Sequence, residues 1–354
     1  MLAALKKNII ERKMVSDGDM VVVGVSGGRD SVALLHALKI LSGKMGFYVV
    51  AAHFNHGIRA LEADLDQVFV EEFCRDIDVQ CHCLKQDIPA LAAGANIEAA
   101  ARRYRYDWLR LVAAEYGRSG QYGRVLLATA HHLEDQGETV LLHLLHGAGT
   151  GGLGGMKFIN GEIIRPLLNV PRSIIEAYIE KNGLSYRDDM SNFQTDYQRN
   201  RIRLELWPQL QTYNSNLNFT LGNTAEICGA DSDFIMKFTL LKLNEIVREN
   251  SRGYYFEKKA FDGLHLAVKR KLVRILWRQA VLFKSPVTGT ENENLELTLR
   301  QTSDILDLGS GKQISLPREV YAKLQKGRMY IGKLPQDGEK EDFLFTIKKN
   351  TKNK

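Results

Sequence analysis

The sequence predicts an α/β protein: a parallel, doubly wound sheet followed by a smaller, mainly helical second domain. Three observations carry this. Four apolar, strand-like runs alternate with helix-length amphipathic segments over residues 20–145. The first run, MVVVGV at 20–25, is continuously apolar, the mark of a strand buried on both faces. Finally, the polar residues able to do chemistry cluster just after three of the runs, where open parallel sheets bind their ligands.

Taken in order, residues 1–14 (MLAALKKNIIERKM) carry basic residues inside an apolar stretch and offer no small-residue cleavage site. They read as an amphipathic helix and not as a signal peptide. After the first strand and a glycine turn, SVALLHALKIL is helical. FYVVAAHF at 47–54 is a second strand, and 61–76 a helix with Leu65, Val68, Phe69 and Phe73 at helical spacing. Residues 79–84 give a third strand, 97–116 a long Ala- and Arg-rich helix, VLLATA at 125–130 a fourth strand and 133–145 its helix. Strands joined through helices of this length imply right-handed crossovers and parallel pairing. GAGTGGLGG at 147–155 is a turning loop. MKFINGEIIRPLL predicts a hairpin at Asn160-Gly161. Residues 171–182 form a helix with Pro171 in its first turn and Gly183 beyond its end.

An Asn-rich stretch at 214–223 covers the expected boundary. The domains are then 1–213, 214–335 and a charged tail at 336–354. Helices are expected at 224–250 and 258–283, with short strands at 313–316 and 328–331.

Composition sets the class. Hydrophobic residues make up 44% and charged residues 25%, as in a soluble globular protein. No apolar run reaches the ~18 residues that span a bilayer, so no membrane partner is expected and the cytoplasm is the expected compartment. A formal charge of +6 suits a polyanionic partner. Cys74, Cys81, Cys83 and Cys228 contain no CxxC pair, which disfavours zinc or iron–sulfur ligation; Val79, Cys81 and Cys83 share one strand face and read as core.

The sharpest local signal is Ser26-Gly27-Gly28-Arg29-Asp30-Ser31, between a buried strand and a helix. Two glycines let the backbone approach a ligand, and the helix start supplies free N–H groups for an anion. Asp30 makes sense beside phosphates if magnesium bridges them. The plain alternative is an ordinary turn with Asp30 or Ser31 as helix cap. There is no GxxxxGK[ST], so this is not a Walker loop.

The hexapeptide resembles the SGGxDS signature of the PP-loop ATP pyrophosphatases. Four further segments resemble those of the tRNA(Ile)-lysidine synthetases: HFNHGIR (53–59), IEAAARRYRYDWL (97–109), TAHHLEDQGETVLLHLLHGAGTGGLGGM (129–156) and DMSNFQTDYQRNRIRLELWPQL (189–210). IIRPLL (163–168) adds to them, and the matches run in the expected order over most of 20–210. Glu134 departs from the family's usual Asp, and Asp135 keeps the second carboxylate. GKQISLPREVYAKLQKGRMYIG (311–332) resembles the end of the family's middle domain, so the separate third domain of longer members is expected to be absent.

The resemblance implies an adenine nucleotide alpha hydrolase-like, Rossmann-like catalytic domain and a tRNA-binding second domain. The implied reaction adenylates the wobble cytidine of the CAU-anticodon isoleucine tRNA with ATP, releasing pyrophosphate; free L-lysine then displaces AMP. Ser26, Gly27, Gly28, Arg29, Asp30, Ser31, His53, Asn55 and His56 are the implied ATP-binding residues. Asp30 and Asp135 would hold magnesium. His131 or His132 would contact the α-phosphate or relay a proton, and Arg102 and Arg105 would stabilise transition-state charge. Glu138 and Asp189 are the two candidates for the lysine amino groups. Arg59, Arg199, Arg203, Arg270 and Arg274 are candidate RNA contacts; Arg270, Arg274 and Arg278 recur every four residues as a stripe. Tyr104, Tyr106, Trp108 and Tyr197 are candidates for base stacking. A homodimer is left open.

Each segment also has a plain reading. His53, Asn55 and His56 are suited to capping a strand end, and Glu98, Arg102 and Arg105 to a solvated helix face. The arginines at 199–203 and 270–278 suit surface charge. Rival functions are a tRNA thiolase, a GMP or NAD synthetase, and a catalytically silent RNA-binding protein. Thiolation would want a reactive cysteine pair, the synthetases an ammonia source, and neither is visible in the sequence.

Overall fold

The computed structural model describes residues 1–58, 60–92, 97–187, 198–282 and 296–333. Arg59, Asp189, Tyr197 and the tail at 336–354 lie outside the described residues. The chain forms two compact units, Met1–Ala230 and Asp231–Lys354, so the first continues past the Asn-rich stretch.

The first unit runs α1 (Leu2–Glu11), β1 (Met20–Gly24), α2 (Arg29–Met45), β2 (Tyr48–Asn55), α3 (Ala60–Asp76), β3 (Cys81–Lys85), α4 (Ile88–Ala92), α5 (Ile97–Arg118), β4 (Val125–Ala128) and α6 (Leu133–Leu145). It continues through α7 (Thr150–Leu153), β5 (Ile159–Asn160), β6 (Ile163–Ile164), α8 (Arg172–Lys181), α9 (Gln198–Arg201), a π-helical turn (Ile202–Leu206), α10 (Trp207–Tyr213) and the start of α11 (Leu217–Ile246). The strands lie in the order β3-β2-β1-β4-β6-β5. All pairs are parallel except the β5–β6 hairpin at Asn160-Gly161.

The apolar run of β1 is explained by its two faces. Val21, Val23 and Val25 pack into one core with Leu34, Leu35, Leu38, Ile175 and Ile179 from α2 and α8. Met20 and Val22 pack into another with Leu109 and Val112 of α5. A strand covered on both sides has no position for a polar residue until it ends. The site therefore starts where β1 stops.

The second unit adds a sheet to the expected helices. β7 (Arg248–Asn250), β8 (Gly253–Glu257), α12 (Lys258–Asp262), α13 (Leu266–Leu282), α14 (Leu299–Leu306), β9 (Gln313–Leu316), β10 (Val320–Gln325) and β11 (Arg328–Lys333) follow α11. The strands form an antiparallel sheet, β7-β8-β11-β10-β9. Its core joins Phe256, Leu272, Leu276, Trp277, Ile305, Val320 and Ile331. The single helix expected over 258–283 is two, separated at Gly263. No helix among the described residues is long and apolar enough to cross a membrane.

Candidate active site

The turn after β1 is fixed by its own hydroxyls. Ser26 N donates to Ser31 Oγ at 3.1 Å, the two hydroxyls lie 3.2 Å apart, and Ser31 Oγ donates to Gly28 O at 2.8 Å. Gly27 sits at φ +89°, where a side chain would be strained. A residue not singled out from sequence locks the turn from outside: Arg187 N donates to Gly27 O at 3.0 Å. Its guanidinium grips Asp66 and, at 2.9 Å, Glu62, both on α3.

Two side chains after the turn diverge. Arg29 Nη1 donates to Glu176 of α8 at 2.7 Å, so its guanidinium is held on a helix of the scaffold. Asp30 is the more unusual. Its Oδ1 is buried with no hydrogen-bond donor, and Arg29 Nε stands 3.8 Å away, beyond bonding range. Burial pushes the Asp30 carboxyl above the usual range, against the pull of His132 and Arg29.

Opposite Asp30, α6 brings its first turn from the end of β4. His132 Nε2 lies 3.7 Å from Asp30 Oδ2 and 3.6 Å from Asp135 Oδ2, so one ring bridges the two carboxylates. Its Nδ1 meets Glu134 Oε2 at 2.9 Å. Burial alone would lower His132, but Asp135, Glu134 and Asp30 together raise it. Burial would likewise raise Asp135; His132, His131, Arg199 and the His132 backbone N–H outweigh it and hold it at about 2. A depressed carboxyl stabilises the fold above its unfolded value of ~4, a contribution lost as pH falls towards the folded value. His131 faces elsewhere, with Nδ1 2.9 Å from Thr129 Oγ1. Burial, helped by Arg165 and Arg102, lowers it to about 3, so it is neutral at pH 7.

Glu134 is a brace between elements. Besides His132, it accepts from Arg172 N at the start of α8 at 3.0 Å and from Asn218 Nδ2 of α11 at 3.0 Å. A longer side chain than Asp suits a residue with three partners on three elements.

Arg199 and Arg203, expected to face RNA, turn inward. Arg199 Nε donates to Glu138 Oε2 at 2.9 Å; Arg203 Nε donates to Glu138 Oε1 at 2.6 Å. Both guanidiniums also lie within 3.5 Å of Asp135 Oδ1. Glu138 is 3% exposed, and a buried carboxylate needs such partners. In this structure both of its oxygens are engaged by the two arginines. Where α6 meets α10, a Cβ built on Gly137 would stand 2.5 Å from Trp207 Cη2. Gly137→Ala is expected to lower stability by about 1–3 kcal/mol through overpacking. A chemical melt unchanged by the substitution would refute that contact.

The β2 cluster is less open than its sequence suggests. His53 Nδ1 donates to Val25 O at 2.9 Å, burial lowers its pKa, and Nε2 is left buried with no partner. Asn55 is occupied by its own loop: it donates to Ala63 O and Asp64 Oδ1 and accepts from Gly57 N. The His56 ring packs edge-on against Phe54. On α5, Arg102 is exposed and lies 5.2 Å over the Tyr106 ring, and Arg105 is half-buried. Cys74 is buried, whereas Cys81 and Cys83, expected in the core, are half-buried with sulfurs 3.6 Å apart. A hydrogen bond with Cys74 pushes the Cys81 thiol up to about 12, far from a reactive thiolate.

In the second unit, the stripe is not a free face. Arg270 and Arg274 are half-buried, and Arg274 Nε donates to Thr302 of α14 at 3.3 Å. Arg278, which is exposed, pairs with Glu296 at 3.6 Å.

Among the described residues no three His, Cys, Asp or Glu side chains form a metal cage. Magnesium has less need of one, because it is held by one or two carboxylates together with substrate phosphates. The donorless Asp30 Oδ1 beside Asp135 fits that requirement.

The PP-loop domain family matches residues 2–210. The tRNA(Ile)-lysidine synthase of Dehalococcoides mccartyi is 33% identical over 93% of this chain and 69% of its own length. That of Caldanaerobacter subterraneus is 32% identical over 98% of this chain and 72% of its own. Among solved structures, the U34-tRNA thiolase NcsA from Methanococcus maripaludis superposes with a TM-score of 0.51 at 17% identity, covering 63% of this chain and 76% of that one, which is a likeness of fold. With its phosphate-loop turn, its paired Asp30 and Asp135 and the ordered segments around them, the chain belongs to the tRNA(Ile)-lysidine synthase family of PP-loop proteins.

Proposed function

We propose that this chain is an ATP-dependent ligase that joins free lysine to C2 of the wobble cytidine in a CAU-anticodon isoleucine tRNA. The observation that carries the reading is the pair Asp30 and Asp135, bridged by His132 directly beside the Ser26–Ser31 turn. In the first step the C2 oxygen of cytidine attacks the α-phosphorus of ATP; the new P–O bond forms as pyrophosphate leaves. In the second, the lysine amine attacks C2 and AMP departs with the oxygen.

The backbone N–H groups around Gly27 and Gly28, with the hydroxyls of Ser26 and Ser31, hold the pyrophosphate. Asp30 and Asp135 are the residues to hold magnesium, which when bound neutralises phosphate charge. Phosphoryl transfer needs positioning and charge more than covalent help. His132 keeps the two carboxylates in register. The proton that the attacking amine loses passes to the Asp30–His132–Asp135 group that the amine reaches. Arg102 and Arg105 supply positive charge from α5.

The reading is tested by mixing protein, ATP, magnesium, lysine and a CAU-anticodon tRNA transcript. Pyrophosphate release that needs this tRNA is expected; release with an unmodified transcript of any anticodon, or none at all, contradicts it. The second unit is proposed to hold tRNA phosphates. Replacing Arg270 and Arg274 with Ala is expected to weaken tRNA binding and flatten its salt dependence, with little change in anticodon choice. Because both side chains are half-buried, a salt titration identical to the parent's would assign them to packing.

A further inference from the structure

Arg165 directly follows β6 and is 6% exposed. Its Nη1 donates to Lys157 O at 2.8 Å, and Tyr106 of α5 is near enough to act on its charge. Its Nε is buried with no partner. Among the described residues, no carboxylate stands within ion-pair distance of Arg165 or of Arg102. Tyr106 lies near both: the Arg102 guanidinium stands 5.2 Å over its ring, and Tyr106 and Arg102 both act on the charge of Arg165. The third member comes from β4, which pairs with β6 in register Leu127↔Ile163 and Ala128↔Ile164. Thr129 N continues the ladder to Ile164 O, and His131 follows two residues later. Two guanidiniums and a ring thus gather here, the ring also under the influence of Asp135, and among the described residues neither guanidinium has a carboxylate within ion-pair distance. Burying a guanidinium without a counter-charge is strongly unfavourable, and a second cation nearby adds to that. The arrangement is accounted for if an anion from a ligand completes it.

We propose that Arg165, with Arg102 and His131, forms the subsite for the α-carboxylate of the lysine substrate. This rests on the ligase reading above. A guanidinium presents paired donors that match a carboxylate. Position favours the amino acid over ATP, whose phosphates belong to the turn after β1. β4 lies between β1 and β6, and strands stand ~5 Å apart. The anion at Arg165 and the carboxylate pair near β1 are therefore about two strand spacings apart, on the order of 10 Å. Lysine is an anion and an amine joined by four methylenes, a length suited to bridging that gap. Burial of Arg165 also fits, since its depressed basicity and that of His131 are reversed by a bound negative charge.

The test compares lysine with lysinamide, which keeps both amines and lacks the carboxylate charge. With ATP, magnesium and CAU-anticodon tRNA, kcat/KM is measured for each amine in the parent, in Arg165→Lys and in Arg102→Met, the last at an exposed position where folding is not at stake. The parent is expected to prefer lysine, and both variants to reduce that preference by ~10- to 100-fold, the scale of a lost charge-assisted hydrogen bond. A preference for lysine that survives in folded variants overturns the proposal. So does a rise in the KM for tRNA with the preference intact, which would give the subsite to an RNA phosphate. A parent that adenylates tRNA but treats lysine and lysinamide alike refutes the subsite alone, whereas a parent that adenylates no tRNA refutes the ligase reading beneath it.

Discussion

Asp30→Asn is expected to lower tRNA-dependent pyrophosphate release by at least ~10²-fold, the scale for losing a group that manages transition-state charge. The same substitution is expected to leave the fold as stable or more so. The sign follows from the environment: burial raises the Asp30 carboxyl above its ordinary value, so the ionised form is disfavoured in the folded state. Its contribution is favourable at low pH and is lost as pH rises through the folded value. At neutral pH an amide of the same shape relieves the desolvation, and Oδ1 has no hydrogen bond to lose. Loss of activity with an unchanged or higher melting temperature marks a residue kept for chemistry. A folded Asp30→Asn protein with near-parental turnover would contradict the role assigned to Asp30.

Glu138→Ala is expected to give the opposite pattern, with stability failing first. Its carboxylate accepts from Arg199 Nε, Arg203 Nε and Arg203 Nη2 at 2.9, 2.6 and 3.0 Å. Truncation leaves two guanidiniums side by side, with Asp135 their remaining counter-charge nearby. Removing one partner of a buried ion pair costs about 3–5 kcal/mol. Both arginines are roughly one-third exposed, so solvent screening brings the expectation to roughly 2–3 kcal/mol. Activity is expected to fall as well, because the arginines then shift against Asp135. The measurement is the urea midpoint of Glu138→Ala beside that of Glu138→Gln, which keeps a shape and an acceptor. Equal midpoints for the parent and Glu138→Ala would mean that the array contributes nothing to the fold.

What could be read in the sequence was what one segment decides alone. β1 announced itself because burial on both faces leaves an unbroken apolar run, and the turn after it because glycines there serve backbone approach. The β5–β6 hairpin was legible from Asn160-Gly161. β8 and β10 were not, because strands as short as GYYFE and VYAKLQ depend on cross-strand partners distant in the chain. Charge direction was equally hidden. The run at Arg199, Arg201 and Arg203 is periodic in a way that suits a surface, yet Arg199 and Arg203 turn inward because Glu138, 61 and 65 positions earlier, is buried against them. Arg201 alone behaves as expected, exposed and paired with Glu205. Arg270 and Arg274 were placed correctly on one helix face, but the sequence carried no sign that α14 would reach Arg274. Arg165 sat inside a recognised segment, IIRPLL, and its meaning emerged only with Tyr106 and His131 around it.

The central claim is that the chain transfers lysine to a single cytidine through an adenylated intermediate. Its most direct test is mass analysis of nucleosides from a CAU-anticodon isoleucine tRNA transcript incubated with the protein, ATP, magnesium and isotopically labelled lysine. The account predicts one modified nucleoside, a cytidine carrying the intact labelled lysine in place of its C2 oxygen, found at the wobble position and absent with Asp30→Asn. A transcript that returns with unmodified cytidine, or with label at another nucleoside, would contradict it.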